Sequence, residues 1–228
     1  MFQHAPTFGL ALLASKFDTT NTGSYSTTTN QTLNPGETVI FFISNHSANT
    51  PTSISIGGTN IIPTARSIAA TATGDGLSAH LIYTQRFTAT VASGTTVSVT
   101  ITEGTASALT CWRIYGTSTL QNYSSAAGQL SLYNAASNIG TTSPTVVDGG
   151  YRKNVLSLVL TTVSSSTSGI SLTGVTTGYG GFNNYLGAVN QYLVYKFENY
   201  WNPGLTETIS QQQSGLGWVV TTWMRFVT

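Results

Sequence analysis

Val39-Ile40-Phe41-Phe42-Ile43, followed by a Ser/Asn/Thr loop and Ile54-Ser55-Ile56-Gly57-Gly58, decides how this chain reads. The pattern returns without a gap as Val155-Leu156-Ser157-Leu158-Val159, a Ser/Thr loop and Ile170-Ser171-Leu172-Thr173-Gly174. Downstream, His80-Leu81-Ile82-Tyr83 answers Tyr192-Leu193-Val194-Tyr195, and Trp112 answers Trp223, at slightly smaller shifts of the kind that changes in loop length produce. A repeat this long means paired domains rather than a solenoid. Two modules of about 110 residues match ordinary domain size. The spacing therefore predicts an internal duplication, with a first module over residues 1–118 and a second over 119–228.

The fold class follows from periodicity. In Thr96-Val97-Ser98-Val99-Thr100-Ile101-Thr102, Val97, Val99 and Ile101 share one face and the hydroxyls the other, which predicts a half-buried strand. Val39 to Ile43 is apolar on both faces, which places it mid-sheet under cover from another domain or subunit. Turn signals at Asn34-Pro35-Gly36, Gly57-Gly58, Gly74-Asp75-Gly76, Ser93-Gly94 and Asn202-Pro203-Gly204 separate the apolar runs. Helical patterning is almost absent, since Ser and Thr side chains compete for the helical backbone's hydrogen bonds. The expectation is an all-β protein of two tandem jelly-roll-like β-sandwich modules. The second module is expected to open with a strand at Leu130 to Tyr133, and truncation at Gly116 is expected to leave the first module folded.

Composition excludes several functions. Charged residues make up 7% of the 228 residues, where a soluble domain carries about 25%. Ser, Thr, Asn, Gln and Gly supply a neutral skin instead, with little self-repulsion to oppose close packing in an assembly. Net charge is +1 and no basic patch is visible, so nucleic-acid binding is not expected. The single cysteine, Cys111, forms no internal disulfide and reads as a small buried hydrophobe. No signal peptide or membrane span is read from the sequence, and a product of a reducing cytoplasm is expected.

Catalytic chemistry finds no pattern to rest on. The seven carboxylates are scattered, and Glu37, Glu103 and Asp148 lie beside turn residues, where acids serve solubility. A polysaccharide-active enzyme would need two carboxylates to converge, Glu198 and Glu207 being the pair left open. His4, His46 and His80 share no metal spacing, and His80 reads as a packing or edge residue. No Gly-x-Ser-x-Gly elbow or phosphate loop with its lysine occurs. No catalytic residue, metal or cofactor is expected.

The remaining candidate is aromatic. Between Tyr179 and Trp201 the rings stand among Asn183, Asn184, Asn190 and Gln191, a combination used by glycan-binding platforms and by protein interfaces alike. Tyr179, Phe182, Tyr185, Tyr200 and Trp201 are the candidate interface or glycan contacts. Tyr192 to Tyr195 also reads as an ordinary strand, with part of the segment in the core.

Pro35-Gly36-Glu37-Thr38-Val39-Ile40-Phe41-Phe42-Ile43, Ile54 to Gly58, Gly94 to Thr100 and Trp112-Arg113-Ile114-Tyr115-Gly116, in a low-charge Thr/Ser/Asn/Gly-rich chain, resemble the β-sandwich virion proteins of tailed bacteriophages. These include capsid decoration (cement) proteins, head fibres and tail-associated adhesins. The resemblance covers most of both modules and is one of style and strand order. It implies a passive structural role in a virion assembled in the host cytoplasm, without catalytic residues. The implied partners are the major capsid protein or other virion proteins, further copies of the chain in a homo-oligomer, by analogy a trimer, and in the adhesin reading a host-surface glycan.

Overall fold

The computed structural model describes residues 8–17, 23–45, 50–61, 66–71, 78–84, 87–101, 107–116, 119–130, 137–142, 155–164, 170–172, 176–183, 189–198, 207–213 and 217–227. Among them there are strands and no helix. The first half supplies β1 (Gly9–Phe17), β2 (Ser24–Thr28), β3 (Thr38–Asn45), β4 (Pro51–Ile56), β5 (Thr59–Asn60), β6 (Arg66–Thr71), β7 (Ser78–Thr84), β8 (Thr96–Ile101) and β9 (Ser107–Tyr115). The second supplies β10 (Thr119–Leu130), β11 (Ser137–Thr142), β12 (Val155–Ser164), β13 (Ile170–Leu172), β14 (Thr176–Asn183), β15 (Val189–Glu198), β16 (Glu207–Gln213) and β17 (Gly217–Val227).

These strands form four antiparallel sheets. Sheet I runs β1-β9-β3-β7-β6 and sheet II β2-β8-β4-β5, both from the first half. Sheet III runs β10-β17-β12-β15-β14 and sheet IV β11-β16-β13, both from the second. The order within sheet III is that of sheet I transposed to the second half, and sheet IV transposes the first three strands of sheet II.

Strand β3 shows how sequence dictates position. All eight of its residues are buried, because it lies between β9 and β7 in the middle of sheet I with both faces covered. Val39, Phe41 and Ile43 face sheet II and join Ile54, Ile56, Val97, Val99 and Ile101 in a sandwich core. The alternation in β8 falls as its pattern predicts, with Val97, Val99 and Ile101 buried and Thr96 exposed. In β1 a register shift between Leu12 and Ala14 puts Leu13 and Ala14 together in that core, while Leu10 and Leu12 pack on the opposite side. The extra residue of a bulge has this effect on a two-residue period.

The other face of β3 finds its cover in the second half of the same chain. Ile40, Phe42, Leu81, Tyr83, Trp112 and Ile114 form one cluster with Leu156, Leu158, Leu160, Leu193, Met224 and Phe226. Strands β1 and β9 lie against β14, and β9 also against β15; reciprocally, β6 lies against β10 and β17, and β7 against β17. With β1 matched to β10, β6 to β14, β7 to β15 and β9 to β17, each contact in the first group has its mirror in the second. The contact of β3 with β15 stands outside this correspondence.

Several expectations change in light of the structure. The apolar surplus of Val39 to Ile43 is hidden within the chain, since Ile40 and Phe42, with Leu81, Tyr83, Trp112 and Ile114 of sheet I, share a core with residues of sheet III. The strand that follows β9 begins at Thr119 and ends at Leu130, so the expected strand at Leu130 to Tyr133 starts eleven residues earlier; Tyr133 lies outside the described residues. Cross-strand register also revises the correspondence of the late elements. Ile40 sits opposite Trp112 and Tyr83, whereas Leu156, its equivalent in the repeat, sits opposite Phe226 and Phe197. Trp112 therefore answers Phe226 rather than Trp223, and His80, opposite Ile43, answers Val194 rather than Tyr192.

Candidate interaction surfaces

The proposed contact residues distribute unevenly. Tyr179 and Phe182 lie in β14, the edge strand of sheet III, at positions paired with Leu193 and Asn190 of β15. Tyr185, Tyr200 and Trp201 lie outside the described residues. Gly74 to Gly76, the Asn202-Pro203-Gly204 turn, His4, His46, Glu103, Asp148, Arg152 and Lys153 also lie outside them. Within the aromatic segment, Leu193 is buried in the shared core and Tyr195 packs half-buried against it. Phe197, at the strand's end, is 42% exposed and meets Phe8 edge-on at 6.0 Å and Tyr195 at 5.4 Å between ring centroids. Phe8, Tyr195 and Phe197 thus form an aromatic cluster at the rim of the shared core, with only Phe197 substantially open to solvent.

Gln191 turns out to be interior. It alternates with Leu193 and Tyr195 on the face that meets sheet I and is 1% exposed. Its Nε2 donates to Ser44 Oγ at 2.6 Å and lies 3.1 Å from the Ala108 carbonyl and 3.3 Å from the Phe42 carbonyl. Two N–H groups thus serve three acceptors, all from the first half. Ser44 also hydrogen-bonds the Thr162 hydroxyl across the same boundary. This polar seam fixes the register between two otherwise apolar sheets, since buried amides and hydroxyls must meet partners. A lone amide at a regular two-residue spacing from Leu193 and Tyr195 is the sequence signal for it.

Glu37 departs from the solubility reading as well. It is 6% exposed, accepts the Asn34 backbone N–H at 3.1 Å and the Asn34 amide at 3.2 Å, and stands 3.7 Å from Arg113 Nη1. Arg113 donates to the Thr32 carbonyl and lies over the Tyr115 ring at 5.3 Å. The acid closes the Asn34-Pro35-Gly36 turn from within, where Gly36 takes φ +89°. His80 is buried in interior strand β7, so it is a packing residue rather than an edge one. Cys111 is fully buried, and desolvation pushes its thiol far above the ordinary cysteine range, which keeps it protonated and unreactive.

The outer face of sheet II is the surface the first half turns to solvent. Register places Ser24 opposite Thr100, Ser26 opposite Ser98 and Thr28 opposite Thr96, with Ser53 and Ser55 flanking on β4. These eight positions carry hydroxyls and no charge. Some pair laterally, as Ser55 Oγ and Ser98 Oγ do at 2.6 Å. The alternation in Thr96 to Thr102 made one row of this array legible; its extension over three strands depends on register.

At the end of sheet II, the β4–β5 hairpin and the 87–95 loop enclose a cavity of about 460 Å³. The loop is pinned by backbone hydrogen bonds: Phe87 N–H to the Glu37 carbonyl at 2.8 Å, Gly36 N–H to the Phe87 carbonyl at 2.7 Å, and reciprocal Leu33–Val91 bonds at 2.9 Å. Among the described residues, no group of three His, Cys, Asp or Glu side chains is placed to hold a metal, and no helix is long and apolar enough to cross a membrane. Comparison of the chain with protein-family models, with curated proteins and with solved structures found no match in any of the three.

Proposed function

We propose that this chain is a non-enzymatic structural protein of a tailed-bacteriophage virion, a capsid decoration (cement) protein that binds and stabilises the assembled shell. The observation that carries the reading is the uncharged hydroxyl face of sheet II, backed by two apolar cores, one on each face of sheet I. A face without charge avoids the desolvation penalty of buried ions on docking, and its hydroxyls adapt as donors or acceptors to whatever they meet. A ligand that binds only the assembled shell stabilises it by mass action. The resemblance of sequence style and strand order points the same way.

The finer architecture belongs to this proposal. The repeated strand order and the reciprocal contacts support two tandem jelly-roll-like modules, residues 1–118 and 119–228, arisen by duplication and packed as a fused pseudo-dimer. Further copies, in a trimer by analogy, would associate through surfaces other than the face of β3.

The test is cosedimentation of the purified protein with shells that lack it. Saturable binding at a fixed ratio to capsid subunits, with a raised shell melting temperature, is expected. A Ser98→Arg variant, charged in the centre of the hydroxyl face, should bind at least about tenfold more weakly with an unchanged fold. Absence of shell binding would favour the second reading, a tail or head-fibre receptor-binding protein that contacts host glycan through the Tyr179 to Trp201 segment. The exposed Phe197, within that segment, is the observation that keeps this second reading in play.

A further inference from the structure

We propose that the docking contact runs from the hydroxyl face of sheet II over the tip of that sheet, where the turns at 29–31, 57–58 and 93–95 meet. Its partner is an uncharged patch of the shell that presents main-chain, amide and hydroxyl groups. The inference rests on the decoration reading and adds to it a place and a partner chemistry. Residues 23–36, 50–61 and 87–101, which build sheet II and its tip, contain no Asp, Glu, Lys, Arg or His. A partner's charged group buried against them would lose hydration and meet no counter-charge from these segments, so a neutral patch docks at least cost. The chain as a whole has a net charge of +1, so it exerts little long-range steering on a partner of either sign.

The tip is a built surface. Thr29 is buried and ties the first turn to the third: its hydroxyl donates to the Ala92 carbonyl at 2.9 Å and accepts the Thr95 N–H at 3.1 Å, and its carbonyl accepts the Gly94 N–H at 2.7 Å. Gly57 N–H donates to the Thr96 carbonyl at 2.8 Å, which holds the second turn beside the third. The three turns therefore keep their places without a partner, which lowers the ordering cost of docking. Gly58 and Gly94 are exposed at φ +81° and +86°, and no atom beyond their chain neighbours lies within 4 Å of where a Cβ would stand at either. The main chain is bare at both turns, which lets a partner's main chain approach it closely. Asn30, Gln31 and Ser93 stand exposed around them with neutral hydrogen-bonding groups.

Cosedimentation of the full chain with shells that lack it, repeated from about 50 to 500 mM salt, tests this. The affinity should change by less than about twofold across the series, because the contact holds no ion pair to be screened. Ser93→Lys sets a charge on the tip, and Gly94→Asn keeps the turn conformation while adding a neutral side chain over the bare main chain. Each should weaken binding at least about tenfold at unchanged melting temperature, and Ser93→Lys, at an exposed position, decides alone if Gly94→Asn fails to fold. Arg86→Gln and Glu103→Gln, which remove the charges that border residues 87–101 in sequence, should leave binding as it is. An affinity that falls about tenfold or more with salt would overturn the inference while the decoration reading stands. So would loss of binding in Arg86→Gln or Glu103→Gln, or full binding by Ser93→Lys. No binding to shells at any salt would overturn the decoration reading, and this contact with it.

Discussion

Gln191 gives the sharpest handle on how the two halves meet. Its side chain is 1% exposed, its two N–H groups are shared among Ser44 Oγ and the Phe42 and Ala108 carbonyls, and its Oε1 has no partner among the described residues. Gln191→Leu removes about two net hydrogen bonds, a loss of roughly 1–3 kcal/mol, and also removes an unsatisfied oxygen whose burial costs about 1–3 kcal/mol. The two effects offset only in part, because the Ser44 hydroxyl and the Phe42 and Ala108 carbonyls lose a donor inside the core, so this variant should be destabilised by roughly 1–3 kcal/mol. Gln191→Glu keeps the shape but turns the donor end into an oxygen facing carbonyl oxygens. At neutral pH it leaves an uncompensated buried charge, with an expected cost of about 3–5 kcal/mol.

The sign of the pH dependence follows. Burial and the facing carbonyls raise the introduced carboxyl's folded pKa above its unfolded value of about 4.3. The folded state then binds the extra proton, so the ionic penalty is absent below about pH 4.3 and grows as pH rises toward the folded pKa. Urea unfolding of both variants at acid and neutral pH, read as midpoint shifts at constant slope, measures this. If Gln191→Glu costs less than about 0.5 kcal/mol at neutral pH, as a surface substitution would, Gln191 does not face sheet I and the reasoning fails.

Three further outcomes follow from the same geometry. Cys111 should resist a thiol reagent at neutral pH in the native protein and react fully once denatured; ready labelling of native protein would show that the sandwich core is open. Gly57→Ala should lower stability by about 1–2 kcal/mol, because Gly57 takes φ +59° and an added Cβ would stand 3.2 Å from the Thr95 methyl; a neutral thermal melt would refute the turn geometry. Truncation at Gly116 should give a chain that self-associates or aggregates, since it uncovers Ile40, Phe42, Leu81, Tyr83, Trp112 and Ile114 together; a monomer with a cooperative melt by ultracentrifugation and calorimetry would contradict the shared core.

The strands were legible where local pattern sufficed. Two-sided apolarity in Val39 to Ile43 announces a strand covered on both faces, and strict alternation in Thr96 to Ile101 announces one covered on a single face. What covers the second face of β3 is a long-range fact, and no window around Phe42 contains Leu158 or Gln191. Late correspondences slipped because similar aromatic residues lie a few positions apart, so Trp223 stood in for Phe226 until hydrogen-bonded register separated them. Glu37 misled because its turn reads as exposed, whereas its burial depends on Arg113, which a distant strand brings to it. Of the proposed contact residues, Tyr179 and Phe182 are placed on an edge strand, and Gln191, grouped with them as a surface amide, belongs to the interior.

The account rests on sheets I and III sharing one core, and hydrogen exchange read by mass spectrometry through a urea series tests that most directly. Peptides from β3 and β7 and peptides from β12 and β15 should lose protection at the same urea concentration, because neither pair keeps its inner face buried without the other. Loss of protection in β12 and β15 while β3 and β7 remain protected would contradict it.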